Sequence, residues 1–233
     1  MAQHGEATDV IANQVFIGCP WKIVRAKYER AIDSLSKKYP VSFIIIGRDD
    51  GQDAEDLLKI IKEKLLSSSS AIFDATGGNP NVSLEFGIAE TNDIPRALYL
   101  SSHAAAARAS QDSAIIADLA GKRRQQYTQE PRLRSLLGAF CRDHAYSKRF
   151  ESFLQKRFRR AGKGPKKRAR ALALKVLHAL DGQPNVRRAD LVQSLLANYS
   201  NYKQREIDEM LSQLNRAGLI RIEPGRYSSV SVR

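Results

Sequence analysis

The segment FDATGGNPNVSLEFGIAE, residues 73–90, predicts a buried strand, a tight polar turn and a helix in succession. The strand ends in the carboxylate of Asp74, and Gly77 and Gly78 follow, where a backbone without side chains lets a ligand approach closely. The turn Asn79-Pro80-Asn81 is rigid and polar, which is typical of a helix cap. Because the first N–H groups of a helix have no partner within it, this turn favours an anionic ligand.

Glu85 lies about one turn into the predicted helix. In an open parallel sheet, ligands bind beyond the carboxyl ends of the strands, where Asp74 and the glycine turn belong. Glu85 is therefore a candidate to act on a ligand held there. The alternative is an exposed carboxylate near the positive end of a helix, which stabilises the fold by at most about 1 kcal/mol.

Strand-like and helix-like patterns alternate around this segment. Alternation of this kind is typical of an α/β fold, here a Rossmann-like parallel sheet with flanking helices. The predicted strands are residues 13–19, 41–47, 71–76 and 97–101, and the predicted helices are residues 21–39, 53–66 and 81–91. Further helices are expected at residues 110–125 and 133–158, where they cover the sheet or join the two halves of the chain.

The net charge of +13 is concentrated in the last third of the 233 residues. Residues 156–233 contain 18 Lys and Arg against 6 Asp and Glu, whereas residues 1–155 contain 20 against 19. Segregated positive charge indicates a local surface for a polyanion, although a solvated basic tail has the same composition. Residues 156–170, KRFRRAGKGPKKRAR, carry nine basic side chains and no acidic one, which predicts a linker that contacts phosphates.

The basic segment is followed by three helical patterns and a hairpin. Residues 168–233, and DEMLSQLNRAGLIRIEPGRY in particular, resemble the winged helix-turn-helix family. The resemblance implies a helix that enters a major groove and a wing, although many winged helices only contact proteins. The residues that we expect to contact nucleic acid are Arg159, Arg160, Lys163, Lys166, Lys167, Arg168, Arg170, Tyr202, Lys203, Arg205 and Arg226.

The segment NPNVSLEFGIA, residues 79–89, resembles nucleoside 2-deoxyribosyltransferase-like and prokaryotic TIR-like domains, in which an Asn-Pro-Asn-Val turn precedes Glu-(Leu/Phe)-Gly-x-Ala. The segment FIGCPW, residues 16–21, is similar to the first strand and loop of the same families. The resemblance implies that Glu85 attacks or stabilises the anomeric carbon of a ribosyl group. The residues expected to bind the substrate are Asp74, Gly77, Gly78, Asn79, Asn81, Cys19, Trp21 and Asp49.

Together these patterns predict three parts: an α/β domain with a helical extension over residues 1–155, the basic linker over 156–170, and a winged helix-turn-helix domain over 171–233. The resemblances imply an N-glycosidase or deoxyribosyltransferase-like enzyme that cleaves a nucleotide, a nucleoside or NAD and is regulated by bound DNA or other nucleic acid. Similar pairings occur in toxic effectors of bacterial antiphage systems, including some retrons, whose partners include a reverse transcriptase. A homo-oligomer is also expected.

Two alternatives remain open at this point. One is a nucleotide-sensing winged-helix transcription factor without catalysis, and the other is an assembly subunit that binds no nucleotide. The base and sugar of the substrate, hydrolysis as opposed to transfer, and DNA as opposed to RNA are also left open.

Several other classes are disfavoured by the sequence. Cys19 and Cys141 are far apart, which favours a reduced, cytoplasmic protein, and Cys19 is expected to be a buried small side chain rather than a nucleophile. The four histidines have no ligand spacing, so we expect no metal and no cofactor other than the nucleotide or NAD substrate. The N-terminus has no secretory pattern, and no apolar run approaches the roughly 20 residues that a membrane helix needs.

Overall fold

A computed structural model describes residues 9–46, 54–102, 124–183, 185–224 and 228–233. Within these residues the chain forms eight α-helices, a five-stranded parallel sheet and a three-stranded sheet. The expected α/β class and parallel sheet are therefore confirmed. The chain divides into two compact units, one containing residues up to Asp33 together with Phe43–Gly138, the other containing Ser34–Ser42 and Ala139–Arg233.

The larger sheet has the strand order β2-β1-β3-β4-β5. Its strands are β1 (Ile11–Gly18), β2 (Ser42–Ile44), β3 (Ser68–Asp74), β4 (Arg96–Ser101) and β5 (Arg124–Tyr127). The helices of this part of the chain are α1 (Arg25–Ser36), α2 (Ala54–Leu66), α3 (Pro80–Thr91) and α4 (Glu130–Asp143). Strand β3 pairs in parallel with β1 on one side and β4 on the other.

The core of the first unit forms where β3 meets α3. Ala71, Ile72 and Phe73 of β3 are fully buried, as expected for a central strand covered on both faces. The ring of Phe73 contacts Phe16 of β1 and Phe86 of α3, at centroid distances of 6.2 and 5.5 Å. These contacts place the start of α3 directly beyond the end of β3.

The helix predicted at residues 110–125 is corrected at its end. Arg124 and Gln125 belong to β5, which pairs in parallel with β4, and the side chain of Tyr127 in β5 is buried. Pairing with β4 provides hydrogen bonds for the backbone N–H and C=O groups of this short segment, so it does not need a helix to form them. The remainder of the predicted helix, residues 110–123, lies outside the described residues.

The second unit contains helices and a small antiparallel sheet with the order β6-β8-β7. The helices are α5 (Ala145–Arg157), α6 (Lys163–His178), α7 (Arg188–Asn198) and α8 (Gln204–Arg216). The strands are β6 (Val186–Arg187), β7 (Ile220–Glu223) and β8 (Ser229–Val232). Helices α6, α7 and α8 and the hairpin follow the order predicted from the sequence, and β6 is an additional short strand. The single helix predicted at residues 133–158 is wrong, because α4 ends at Asp143 and His144 caps α5.

The expected linker at residues 156–170 is corrected, because residues from Lys163 onward form the first two turns of α6. Gly162 caps this helix, and Pro165 lies in its first turn, where the missing N–H would have no helical partner in any case. Proline and glycine therefore mark a helix start here and not a flexible connection. The division into compact units falls between Gly138 and Ala139, whereas the sequence placed a boundary at residue 155.

Candidate active site

A cavity of about 580 Å³ lies in the first unit beside α3. The chain leaves β1 for β2 on one side of the sheet and later returns to β3 on the other, so the strand order reverses between β1 and β3. Ligands bind in open α/β sheets at such a reversal, beyond the carboxyl ends of the strands. The cavity is lined by residues that follow β1 and by parts of α2 and α3, namely Cys19, Pro20, Trp21, Lys22, Ile23, Ile46, Leu57, Ile61, Asn79, Asn81, Val82 and Glu85.

The start of α3 is shaped by its cap. The side-chain oxygen of Asn79 accepts a hydrogen bond from the backbone N–H of Asn81 at 2.9 Å, and Pro80 is the first residue of the helix. This is the cap that the sequence predicted, and both asparagines line the cavity. Because the cap leaves the positive end of α3 at the cavity, the site suits an anionic group of a ligand.

Glu85 is the one carboxylate among the described residues that line this cavity. Its side chain is 8% exposed, and its Oε2 accepts no hydrogen bond from any described residue. Burial raises the pKa of Glu85 from 4.5 to about 8. A buried acceptor without a partner destabilises a fold by about 1–3 kcal/mol, and such groups are characteristic of functional sites.

Gly18, the last residue of β1, makes room for this carboxylate. A methyl group at Gly18 would overlap Oε2 of Glu85 and would also come within 2.7 Å of the Phe73 ring. Gly18 was not among the residues expected from the sequence to form the site. Its position at the end of a predicted strand is the signal that could have identified it, because glycine in a strand often marks a close approach.

Asp74 was expected to bind substrate, but it is not among the described residues that line the cavity. It is fully buried, and Oδ2 accepts hydrogen bonds from the hydroxyls of Tyr28 and Tyr127 at 2.9 and 2.6 Å. Oδ1 accepts from the backbone N–H of Thr76 at 2.9 Å. Burial raises the pKa of Asp74, and these hydrogen bonds oppose the rise. Asp74 thus fixes the turn after β3, and no local sequence pattern indicated its two tyrosine partners.

The two glycines of the turn have a conformational role. Gly77 and Gly78 have φ values of 72° and 61°, in the left-handed region that other residues avoid. Neither is among the described residues that line the cavity, although both were expected to bind substrate. They reverse the chain between β3 and α3 and so bring Asn79 and Glu85 to the cavity.

Two of the remaining predicted substrate residues, Cys19 and Trp21, also lie at the cavity. Both residues follow β1. Burial raises the pKa of the Cys19 thiol well above its usual range, and the charges of Asp74 and Glu85 raise it further. The guanidinium of Arg25 lies 3.2 Å from the centroid of the Trp21 ring and covers one face of it. Asp49 lies outside the described residues.

The basic residues predicted to contact nucleic acid fall into two groups. Arg168 donates to Glu206 at 3.0 Å and lies over the ring of Tyr202, which is only 6% exposed. Arg170 pairs with Glu151, so these arginines stabilise the second unit, and Tyr202 presents no face for a base. The side chains that remain largely exposed are Arg159, Arg160, Lys163, Lys167, Lys203 and Arg205, with Lys166 half-buried. Arg226 lies outside the described residues.

Neither a metal centre nor a membrane segment is found in the described part of the chain. No group of three or more His, Cys, Asp or Glu side chains is placed there to hold an ion. No helix among those residues is both long and apolar enough to cross a bilayer.

A scan against protein-family models and searches of curated proteins and of solved structures found no match for this chain.

Proposed function

We propose that the first unit is an N-glycosidase or deoxyribosyltransferase-like enzyme that cleaves the N-glycosidic bond of a nucleotide, a nucleoside or NAD. The observation that carries this proposal is the unpaired, buried carboxylate of Glu85 in the wall of a ligand-sized cavity. A cavity of about 580 Å³ is within the range of small-molecule sites. The resemblance of residues 79–89 to the deoxyribosyltransferase-like families supplies the reaction class.

The proposed chemistry uses the carboxylate at the anomeric carbon. As the C1′–N bond breaks, its electron pair passes to the leaving base and positive charge develops on the sugar. Ionised Glu85 stabilises that charge or bonds to C1′, and water or a second base then displaces it. Burial raises the pKa of Glu85 to about 8, and a hydrogen bond from a sugar hydroxyl would favour the reactive ionised form.

The rest of the cavity wall suits the other parts of a nucleotide. Lys22 and the start of α3 provide positive charge for a phosphate, while Trp21 and Ile23 provide apolar surface for a base or sugar. This distribution favours a phosphorylated substrate over a free nucleoside. The substrate would then donate a hydrogen bond to the unpaired oxygen of Glu85.

The second unit is proposed to bind nucleic acid and to regulate the reaction. Its helix order and its sheet order β6-β8-β7 support the winged-helix assignment, with β7 and β8 as the wing. The exposed cations Arg159, Arg160, Lys163 and Lys167 support phosphate contact near the start of α6. By its resemblance to antiphage effectors, the protein is proposed to be a toxic effector released by a nucleic-acid signal.

A base-release assay tests this proposal. Wild-type protein and Glu85→Gln are incubated with NAD, deoxynucleotides and nucleosides, with and without short DNA, and free base is measured. We expect release by the wild type and a loss of at least about 10³-fold in Glu85→Gln, since the amide cannot supply the negative charge. Glu63→Gln, an exposed glutamate of α2, is the matched control and should leave base release unchanged.

The second candidate is a nucleotide-sensing winged-helix transcription factor, favoured by a ligand-sized cavity in one unit and a cationic surface in another. The two candidates differ in the role of Glu85. If the wild type binds nucleotide but releases no base under any condition, and Glu85→Gln binds equally well, the enzyme proposal fails and the sensor takes its place.

A further inference from the structure

The second unit contains its own cavity of about 580 Å³, which has no role in the reaction proposed at Glu85. Four cationic side chains contribute to its wall: Lys37, Lys38, Arg142 and Arg170. One carboxylate, Glu151, also lines it, together with Tyr39 and Ser147. All seven residues belong to the second unit, so the cavity is complete within it.

The positive charge of this cavity is only partly neutralised. Arg170 pairs with Glu151 through Nη1, and its Nη2 donates to the backbone carbonyl of Lys38 at 2.7 Å. Lys37, Lys38 and Arg142 form no ion pair with any described residue. Three cations that form no ion pair within the described part of the chain therefore line one concave site, and this arrangement attracts an anion.

Ser147 provides an independent indication of a ligand. Its side chain is 2% exposed, lines the cavity, and its Oγ has no hydrogen-bond partner among the described residues. A buried hydroxyl left unpaired destabilises a fold by about 1–3 kcal/mol, so a ligand oxygen at this position would be stabilising.

The start of α5 adds to the preference for an anion. Ser147 is the third residue of this 13-residue helix, and the ring nitrogen Nδ1 of His144 accepts from the backbone N–H of Tyr146 at 3.3 Å. Burial lowers the pKa of His144, which keeps the ring neutral and able to accept. The positive end of the helix dipole thus lies beside the Ser147 hydroxyl.

We propose that this cavity binds the phosphoryl group of a small organic phosphate of nucleotide size. Arg142 offers a planar pair of donors that matches a phosphate, Lys37 and Lys38 add charge, and the Ser147 hydroxyl donates to a phosphoryl oxygen. The half-buried Tyr39 provides a surface for the organic part. The proposal is independent of the reaction assigned to Glu85.

Calorimetric titration of the full-length protein tests the proposal. The probes are ADP, inorganic tripolyphosphate and a single-stranded 12-nucleotide DNA, and the variants are Arg142→Glu and Ser147→Ala. We expect the wild type to bind ADP and tripolyphosphate, Arg142→Glu to bind both at least about tenfold more weakly, and Ser147→Ala about three- to tenfold more weakly. Arg142 and Ser147 line this cavity and not the one beside Glu85, so a loss of affinity in their variants assigns the binding to this site.

Lys148→Glu is the matched control, because Lys148 is exposed, adjacent to Ser147 on α5 and outside the cavity wall. It should bind both probes within about twofold of the wild type. Equal affinity in wild type and Arg142→Glu, or no binding of either small probe, would overturn the proposal. Binding of the DNA alone, weakened by Arg142→Glu and Ser147→Ala, would also overturn it, by assigning the cavity to a nucleic-acid phosphate.

Discussion

Two carboxylates at the carboxyl edge of the parallel sheet are both buried, yet their surroundings are opposite. Asp74, at the end of β3, accepts three hydrogen bonds, from Tyr28, Tyr127 and the backbone of Thr76. Glu85, in α3, has an Oε2 that accepts none from the described residues. Burial raises the pKa of both groups, but only at Asp74 do hydrogen bonds oppose the rise. A buried carboxylate that accepts hydrogen bonds stabilises a fold. A buried carboxylate without a donor is retained where a ligand provides the missing hydrogen bond.

The largest effect is expected from Asp74→Ala. The substitution leaves two buried tyrosine hydroxyls and one backbone N–H without an acceptor, so the free energy of unfolding should fall by about 3–5 kcal/mol. Urea denaturation followed by circular dichroism measures this. Tyr28→Phe, which removes a single hydrogen bond, is the control and should lower it by only about 1 kcal/mol. A loss below about 1 kcal/mol for Asp74→Ala would show that the carboxylate has no structural role.

Glu85→Gln is expected to raise the free energy of unfolding, whereas Asp74→Ala lowers it. Since the pKa of Glu85 is about 8 in the folded protein and 4.5 as its ordinary value, the folded state holds an extra proton between these pH values. The wild type therefore loses stability as the pH rises through this window, and the neutral glutamine does not. Relative to the wild type, the variant should gain about 2–4 kcal/mol between pH 5 and pH 9.

Thermal unfolding at pH 5, 7 and 9 checks this difference, with Glu63→Gln as the control because its side chain is exposed. A constant difference between Glu85→Gln and the wild type at all three pH values would mean that the Glu85 pKa is ordinary. The carboxylate would then be satisfied like that of Asp74, and the comparison would lose its basis.

The strands and helices around both carboxylates could be predicted from the sequence, but the hydrogen-bond partners of Asp74 could not. The alternation of strands and helices, the cap at Asn79 and the position of Glu85 in α3 all follow from local patterns. Tyr28 and Tyr127 reach Asp74 from 46 and 53 residues away in the chain. No local pattern encodes such a contact, so a pairing of this type has to come from the three-dimensional fold.

Polar segments also misled the sequence analysis. The third strand was predicted to begin at residue 71, after four consecutive serines at residues 67–70, yet β3 begins at Ser68. The buried side chain of Gln14 donates to the hydroxyls of Ser67 and Ser68 at 3.1 and 2.9 Å, which allows a polar strand to enter the core. In the same way the charge of residues 163–170 suggested a linker, whereas they are helical. Composition predicts exposure better than it predicts secondary structure.

Gly18→Ala is expected to lower the stability of the protein by less than Asp74→Ala does. The added methyl group would overlap the Glu85 carboxylate, so base release should fall nearly as far as in Glu85→Gln, with a loss of stability of about 1–3 kcal/mol. Gly87→Ala is the matched control, because Gly87 lies in α3 and a methyl group at this position would have no atom within 4 Å. It should retain base release and gain up to about 1 kcal/mol. Full activity in Gly18→Ala would mean that Glu85 does not act from its position against β1.

The smallest effect is expected from Cys19→Ala, which tests the third ionisable group at this edge of the sheet. Burial and the charges of Asp74 and Glu85 raise the pKa of the thiol, so it stays neutral and is a poor nucleophile. Base release should remain within about twofold of the wild type, and a loss as large as that of Glu85→Gln would instead identify Cys19 as the nucleophile. Alkylation by iodoacetamide at pH 9 provides a second measurement. Because Glu85→Gln removes one of the negative charges that raise the pKa of the thiol, Cys19 should react faster in that variant than in the wild type, whereas Asp74 continues to suppress the thiolate in both.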